Sequence, residues 1–122
     1  MLKIKRRALL SALEAAKNVY PDEFVGLFRG DGELAEELII PPFSTYERDS
    51  SGFSDWFLPA NNRELASFHS HPSPGTAFPS KADRLFFAKT AKYHFIACPP
   101  FGEKNVNAFD SKGKQITFGI VR

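Results

Sequence analysis

The chain has 122 residues, 43% of them hydrophobic, and a formal net charge of +2. That length suits a single domain over 1–122 with a core of its own, and so small a charge argues against nucleic acid or an anionic membrane as partner. Its one cysteine, Cys98, excludes an internal disulfide and any zinc site built on four cysteines or on a pair of them with two histidines, which suits a reducing cytoplasm.

The basic cluster Lys3, Lys5, Arg6 and Arg7 reads as a solvated helix end rather than an RNA-binding patch. Only Ala8, Leu9 and Leu10 follow before Ser11, so there is no signal-peptide core. No stretch is long enough to cross a bilayer, and a soluble cytoplasmic protein is expected. From about Ala8 to Val19 apolar residues recur at helical spacing, with Leu9, Leu10, Leu13 and Ala16 expected on one face. Pro21 ends that helix, because proline disfavours helical geometry in the residue before it.

Glu23 then introduces the apolar run Phe24 to Phe28, which fits a strand buried on both faces. The turn Gly30-Asp31-Gly32 leads to a second strand within Glu33 to Ile40, stopped by Pro41-Pro42. Ser44 to Ser51 is expected as a loop and Phe53 to Leu58 as an edge strand. Leu65 to Phe68 carries the chain into His69. A second helix is expected from Ser80 to about Lys92, with Leu85, Phe86, Ala88 and Ala91 on its buried side. Tyr93 to Ala97 reads as a compact strand. Asn105 to Asp110 and Gln115 to Val121 read as two more, flanking the turn Ser111 to Lys114. Helices interspersed among strands, with no internal repeat, argue an α+β fold.

The stretch from Phe68 to Asp83 carries the chemistry. Side chains at i and i+2 of a strand share a face, so His69 and His71 can point at one metal. Pro72 stops further strand pairing, and the loop Ser73 to Pro79 turns the chain back so that Asp83 can join them. Two imidazoles and a carboxylate suit zinc and leave a fourth position open, the mark of a catalytic site. Each part also has a plainer reading. His-x-His can be a polar strand end, and Ser80 with Asp83 has the spacing of a helix-capping box. A hydrolytic site further needs a base, for which Glu14, Asp22, Glu23 and the acids of 33–37 are candidates. Glu23 stands out by opening the most apolar strand. His94 reads as a satisfied strand histidine and Cys98 as a buried small hydrophobe.

Taken together, Pro21-Asp22-Glu23-Phe24-Val25-Gly26-Leu27 and His69-Ser70-His71-Pro72 with Pro79-Ser80-Lys81-Ala82-Asp83 resemble the JAMM metalloproteases of the JAB/MPN domain family, most of all the short stand-alone archaeal members. The resemblance implies a cytidine-deaminase-like α+β architecture, with a curved, mostly antiparallel sheet flanked by two main helices. It implies one catalytic zinc held by His69, His71 and Asp83, Glu23 as the general acid/base that activates water, and Ser80 as a donor to the oxyanion. It also implies cleavage of a peptide or isopeptide bond after the C-terminal Gly-Gly of a ubiquitin-like small modifier protein. The strand at Phe53–Leu58 would receive the modifier's tail, with Phe53, Trp56 and Phe57 shaping the groove. The loop from His71 to Ser80 is one residue longer than is usual in the family, and the extra residue is expected to bulge between Ser73 and Phe78. A non-catalytic MPN-type binding module and a small-molecule zinc amidase are the alternative functions.

Overall fold

A computed structural model of the chain describes residues 1–40, 45–46, 64–87 and 91–122. Strand β1 (Leu2–Lys5) runs into helix α1 (Arg6–Val19), followed by β2 (Glu23–Asp31), β3 (Leu34–Ile39) and β4 (Thr45–Tyr46). Then come β5 (Glu64–Ser70), α2 (Lys81–Phe87), β6 (Tyr93–Ala97), β7 (Val106–Asp110), β8 (Gln115–Ile116) and β9 (Phe118–Val121). The sheet order is β8-β7-β6-β5-β2-β3-β1-β9, with β4 on the start of β2. Pairing is antiparallel except at β1–β3, β1–β9 and β5–β6. The fold is α+β, as expected.

The two ends of this sheet, β8 and β9, are joined through Thr117 alone. A chain can pass from one end of a sheet to the other in a single residue only if the sheet curls back on itself. The packing agrees, since Phe118 of β9 meets Phe95 of β6 edge to face at 5.2 Å between ring centres. Inside the curl lies α1, which buries Ala8, Leu9, Ala12, Leu13 and Ala16, a stripe at helical spacing. Phe24, Phe28, Phe68 and Phe95 meet that stripe from the sheet. Burying so much aromatic surface is the main source of cohesion here.

Several sequence expectations change. Lys3 and Lys5 lie in β1, a strand the sequence reading did not contain, and only Arg6 and Arg7 belong to the helix. Leu2 and Ile4 are buried, so β1 alternates as a strand should; the charges between them hid the pattern. Leu10 turns away from the core and is 48% exposed. The Gln115–Val121 segment is two strands rather than one, because its halves pair with opposite ends of the sheet. Within the described residues the second helix ends at Phe87, and Lys92 leads into β6. Leu85, expected on its buried side, is 63% exposed. Thr45–Tyr46, expected in a loop, pairs with Glu23–Phe24. The Phe53–Leu58 strand, with Phe53, Trp56 and Phe57, lies outside the described residues, as does Ala88.

Candidate active site

The site lies where β2 begins and β5 ends. Val25 stands opposite His69 in the antiparallel register, so Glu23, two residues back, faces the position of His71. Glu23, Val25, His69 and His71 therefore share one face of the sheet. His69 is buried at a strand end, and His71 continues the β5–β6 ladder by one rung, its N–H donating to the Ala97 carbonyl at 2.8 Å. Ser70 points to the other face, where its Oγ accepts the buried N–H of Phe24 at 2.7 Å. The residue between the histidines thus ties their strand to the peptide beside Glu23. That tie was not legible in the sequence.

After Pro72 the chain turns through Gly75, whose φ of 75° is left-handed, and Thr76 Oγ1 donates to the Ser73 carbonyl. Between Ser73 and Phe78 the loop is held by this turn and by the Phe78 N–H, which donates to the Thr76 carbonyl at 2.7 Å. Beyond it Ser80 and Asp83 form the reciprocal capping box of α2. The Ser80 N–H donates to Asp83 Oδ2 at 2.9 Å and the Asp83 N–H to Ser80 Oγ at 3.1 Å. The plainer reading of this pair and its functional reading hold the same geometry, since the cap presents the Asp83 carboxylate to His71. The distance from His71 Nε2 to Asp83 Oδ2 is 3.1 Å. Accepting from Asp83 does not consume the single O–H of Ser80, which is exposed.

Four titratable groups feel one another here. Burial raises the Glu23 pKa above its ordinary value, opposed by the charge of His71 and reinforced by Asp83. Burial lowers His69 to about 4, with the Asp83 carboxylate pulling the other way. Burial also opposes charge on His71, but the hydrogen bonds to Asp83 and the Thr76 carbonyl, with the charges of Asp83 and Glu23, outweigh it and raise its pKa. Asp83, disfavoured by burial, is brought down to about 2 by its bond to His71, the His69 charge and the Ser80 N–H. At neutral pH, then, His69 is a neutral nitrogen donor and Asp83 an anion.

Among the described residues no three such groups stand at coordination spacing, and His71 and Asp83 hydrogen-bond directly to each other. Their chemistry nevertheless fits a metal ion. The His71 Nδ1–H donates to the Thr76 carbonyl at 2.5 Å, which fixes the tautomer and aims Nε2 at Asp83. Metal-ligating histidines are oriented in this way. Two donors on one tetrahedral zinc, with arms of about 2.0–2.1 Å, stand about 3.4 Å apart. The 3.1 Å between His71 Nε2 and Asp83 Oδ2 needs only a small opening to admit the ion.

The other histidine and the cysteine are placed elsewhere. His94 Nδ1 lies 2.6 Å from Ser67 Oγ inside the sheet. Cys98 packs with Val25, Leu27, Ala77, Ile96 and Phe109 in a second apolar cluster.

Residues 5–112 match the prokaryotic homologs of the JAB domain. A probable metalloprotease of Haloferax volcanii is 32% identical over 117 residues, covering 88% of this chain and 71% of the relative. The crystal structure of a JAB1/MPN domain protein from Archaeoglobus fulgidus superposes with a TM-score of 0.77 at 31% identity, covering 100% of this chain and 98% of that one. A structure described as JAMM, a metalloprotease-like zinc site in the proteasome and signalosome, gives 0.76 at 32% identity, covering 100% and 99%. A match running from residue 5 to residue 112, with a shared backbone across the chain, makes this protein a member of the prokaryotic JAB-domain family.

Proposed function

We propose that the protein is a zinc-dependent peptidase or isopeptidase that removes ubiquitin-like small modifier proteins after their C-terminal Gly-Gly. The observation that carries the chemistry is the convergence of four groups from three elements. Glu23 comes from the start of β2, His69 and His71 from the end of β5, and Asp83 from the first turn of α2. His69, His71 and Asp83 would hold the ion, leaving Glu23 as the carboxylate not needed for binding. Zinc supplies Lewis acidity, lowering the pKa of water to about 7 and polarising a carbonyl.

Glu23 takes a proton from the attacking water as its oxygen adds to the scissile carbonyl carbon. The same proton passes to the leaving nitrogen as the C–N bond breaks, and the water's second proton, left on the new carboxylic acid, follows it to the amine, giving a carboxylate and an ammonium. A raised pKa suits a group that must be base first and acid second. The exposed Ser80 hydroxyl donates to the oxygen that gains negative charge. Metallopeptidase chemistry is further supported by the Haloferax relative and by the zinc site named for the similar structure. The modifier as substrate rests on the family resemblance of the motifs around Glu23 and His69–Asp83.

The test pairs metal analysis with cleavage of a ubiquitin-like protein fused through its C-terminal glycines. Activity lost to a chelator and restored by zinc, with Glu23→Ala inactive yet metal-loaded, is the expected result. Stoichiometric zinc with no cleavage of any modifier substrate would instead favour a binding module.

A further inference from the structure

We propose that Asn107 is a positioning residue for His71, acting through the turn between them. Val25, His69, Ile96 and Asn107 form one row across β2, β5, β6 and β7, each paired in register with the next. Asn107 therefore stands on the face that carries the site, two strands from His69. The loop after His71 reaches across to it, and Asn107 Nδ2 donates to the Ala77 carbonyl at 2.9 Å. Asn107 Oδ1 accepts from Gln115 Nε2 at 3.3 Å, which fixes which end of the amide faces the loop.

The peptide held in this way sits beside the one that orients His71. Phe78 N–H donates to the Thr76 carbonyl at 2.7 Å, closing a three-residue turn centred on Ala77. The same Thr76 carbonyl accepts from His71 Nδ1. Ala77 is buried in the second apolar cluster, and Phe78 meets Phe109 of β7 edge to face. Those apolar contacts hold the loop's depth, but they do not fix the direction of its carbonyls. A hydrogen bond does, and Asn107 supplies it. If the Ala77 peptide rotates, the Thr76 carbonyl moves with it and His71 loses the acceptor that selects its tautomer.

This inference rests on His71 being a metal ligand, and the experiment separates the two. Asn107→Asp keeps the size and removes the donor, setting an oxygen against the Ala77 carbonyl; Asn107→Ser is the second variant. Zinc affinity is measured by competition with a chromophoric chelator. The His71 Nδ1–H is followed by NMR as its exchange with water in the zinc-loaded protein. We expect a folded variant with about 10–100-fold weaker zinc binding and a fast-exchanging Nδ1–H. A variant that melts earlier but keeps wild-type affinity and a protected Nδ1–H overturns the proposal, as does failure of both variants to fold, which marks Asn107 as structural. His71→Ala is the control: if it retains full zinc affinity, the ligand assignment itself fails.

Discussion

Glu23 is held in an environment that opposes its own charge, and this has a measurable consequence for stability. An acid whose pKa is raised by folding favours the native state only while protonated, below its ordinary value of 4.5. That contribution is lost as pH rises through the folded value. In metal-free protein, Glu23→Gln should therefore unfold at higher urea than wild type at pH 7, and the gap should close below about pH 4.5. The same variant should lose roughly 10²–10⁴-fold in turnover while keeping its zinc. A wild-type urea midpoint at pH 7 would show that the carboxylate is not disfavoured there. Ser70 makes the complementary case. Ser70→Ala leaves the buried Phe24 N–H without its acceptor and should cost about 1–3 kcal/mol in urea denaturation, with activity falling as the β2 start loosens. The pairing of His69 with His71 and the cap that presents Asp83 were legible in the sequence because strand alternation and helix capping are local rules. Glu23 was set apart from the other acids only by opening the most apolar strand and by the family resemblance. The roles of Ser70, Thr76 and Asn107 were not legible, since each depends on which peptide lies opposite across the sheet.

Elements show the same division. The hairpin between β2 and β3 was legible from its apolar runs and its Gly-Asp-Gly turn, but not the irregularity in its register. The pairing shifts between Arg29 and Gly30, and a Cβ on Gly30 would lie 1.8 Å from the Leu34 carbonyl oxygen. Gly32 has a φ of +64° but open space where a Cβ would go. Gly30→Ala must therefore push two backbones apart and should cost roughly 3 kcal/mol or more. Gly32→Ala faces only left-handed strain, about 1–2 kcal/mol. Thermal melts of the two variants side by side test this ordering, and equal losses would contradict the bulge. Strand β1 escaped the sequence reading because its two buried residues are set among lysines, and only its place between β3 and β9 makes it a strand. Leu85 was misplaced for a related reason. Helical periodicity says which residues share a face, but not whether a neighbour covers that face.

At the scale of the whole molecule, the pairing of β2 with β5 brings segments distant in sequence into one site, and metal binding as proposed there would couple that site to global stability. The three proposed donors are poised at different stages of readiness. His69, at about 4, is deprotonated throughout the neutral range, and Asp83, at about 2, is ionised. His71, its pKa raised by Asp83 and Thr76 against the effect of burial, is the donor that still holds a proton when the others do not. Bound by these three as proposed, zinc would have to displace that proton. Apparent zinc affinity should therefore rise about tenfold per pH unit from pH 5 upward and level off once pH passes the raised His71 value. Titration calorimetry in buffers of different ionisation enthalpy should find about one proton released per zinc at the acid end and none on the plateau. The added stability tracks the affinity, because an ion that binds only the folded chain contributes about 4 kcal/mol at a thousandfold excess over Kd and about 1.4 kcal/mol less for each tenfold weakening of Kd. Zinc should thus shift the melting temperature strongly at pH 8 and weakly at pH 5. A shift of equal size at both values would mean that the ion takes no proton from His71, and that the His71–Asp83 hydrogen bond is not the place it enters.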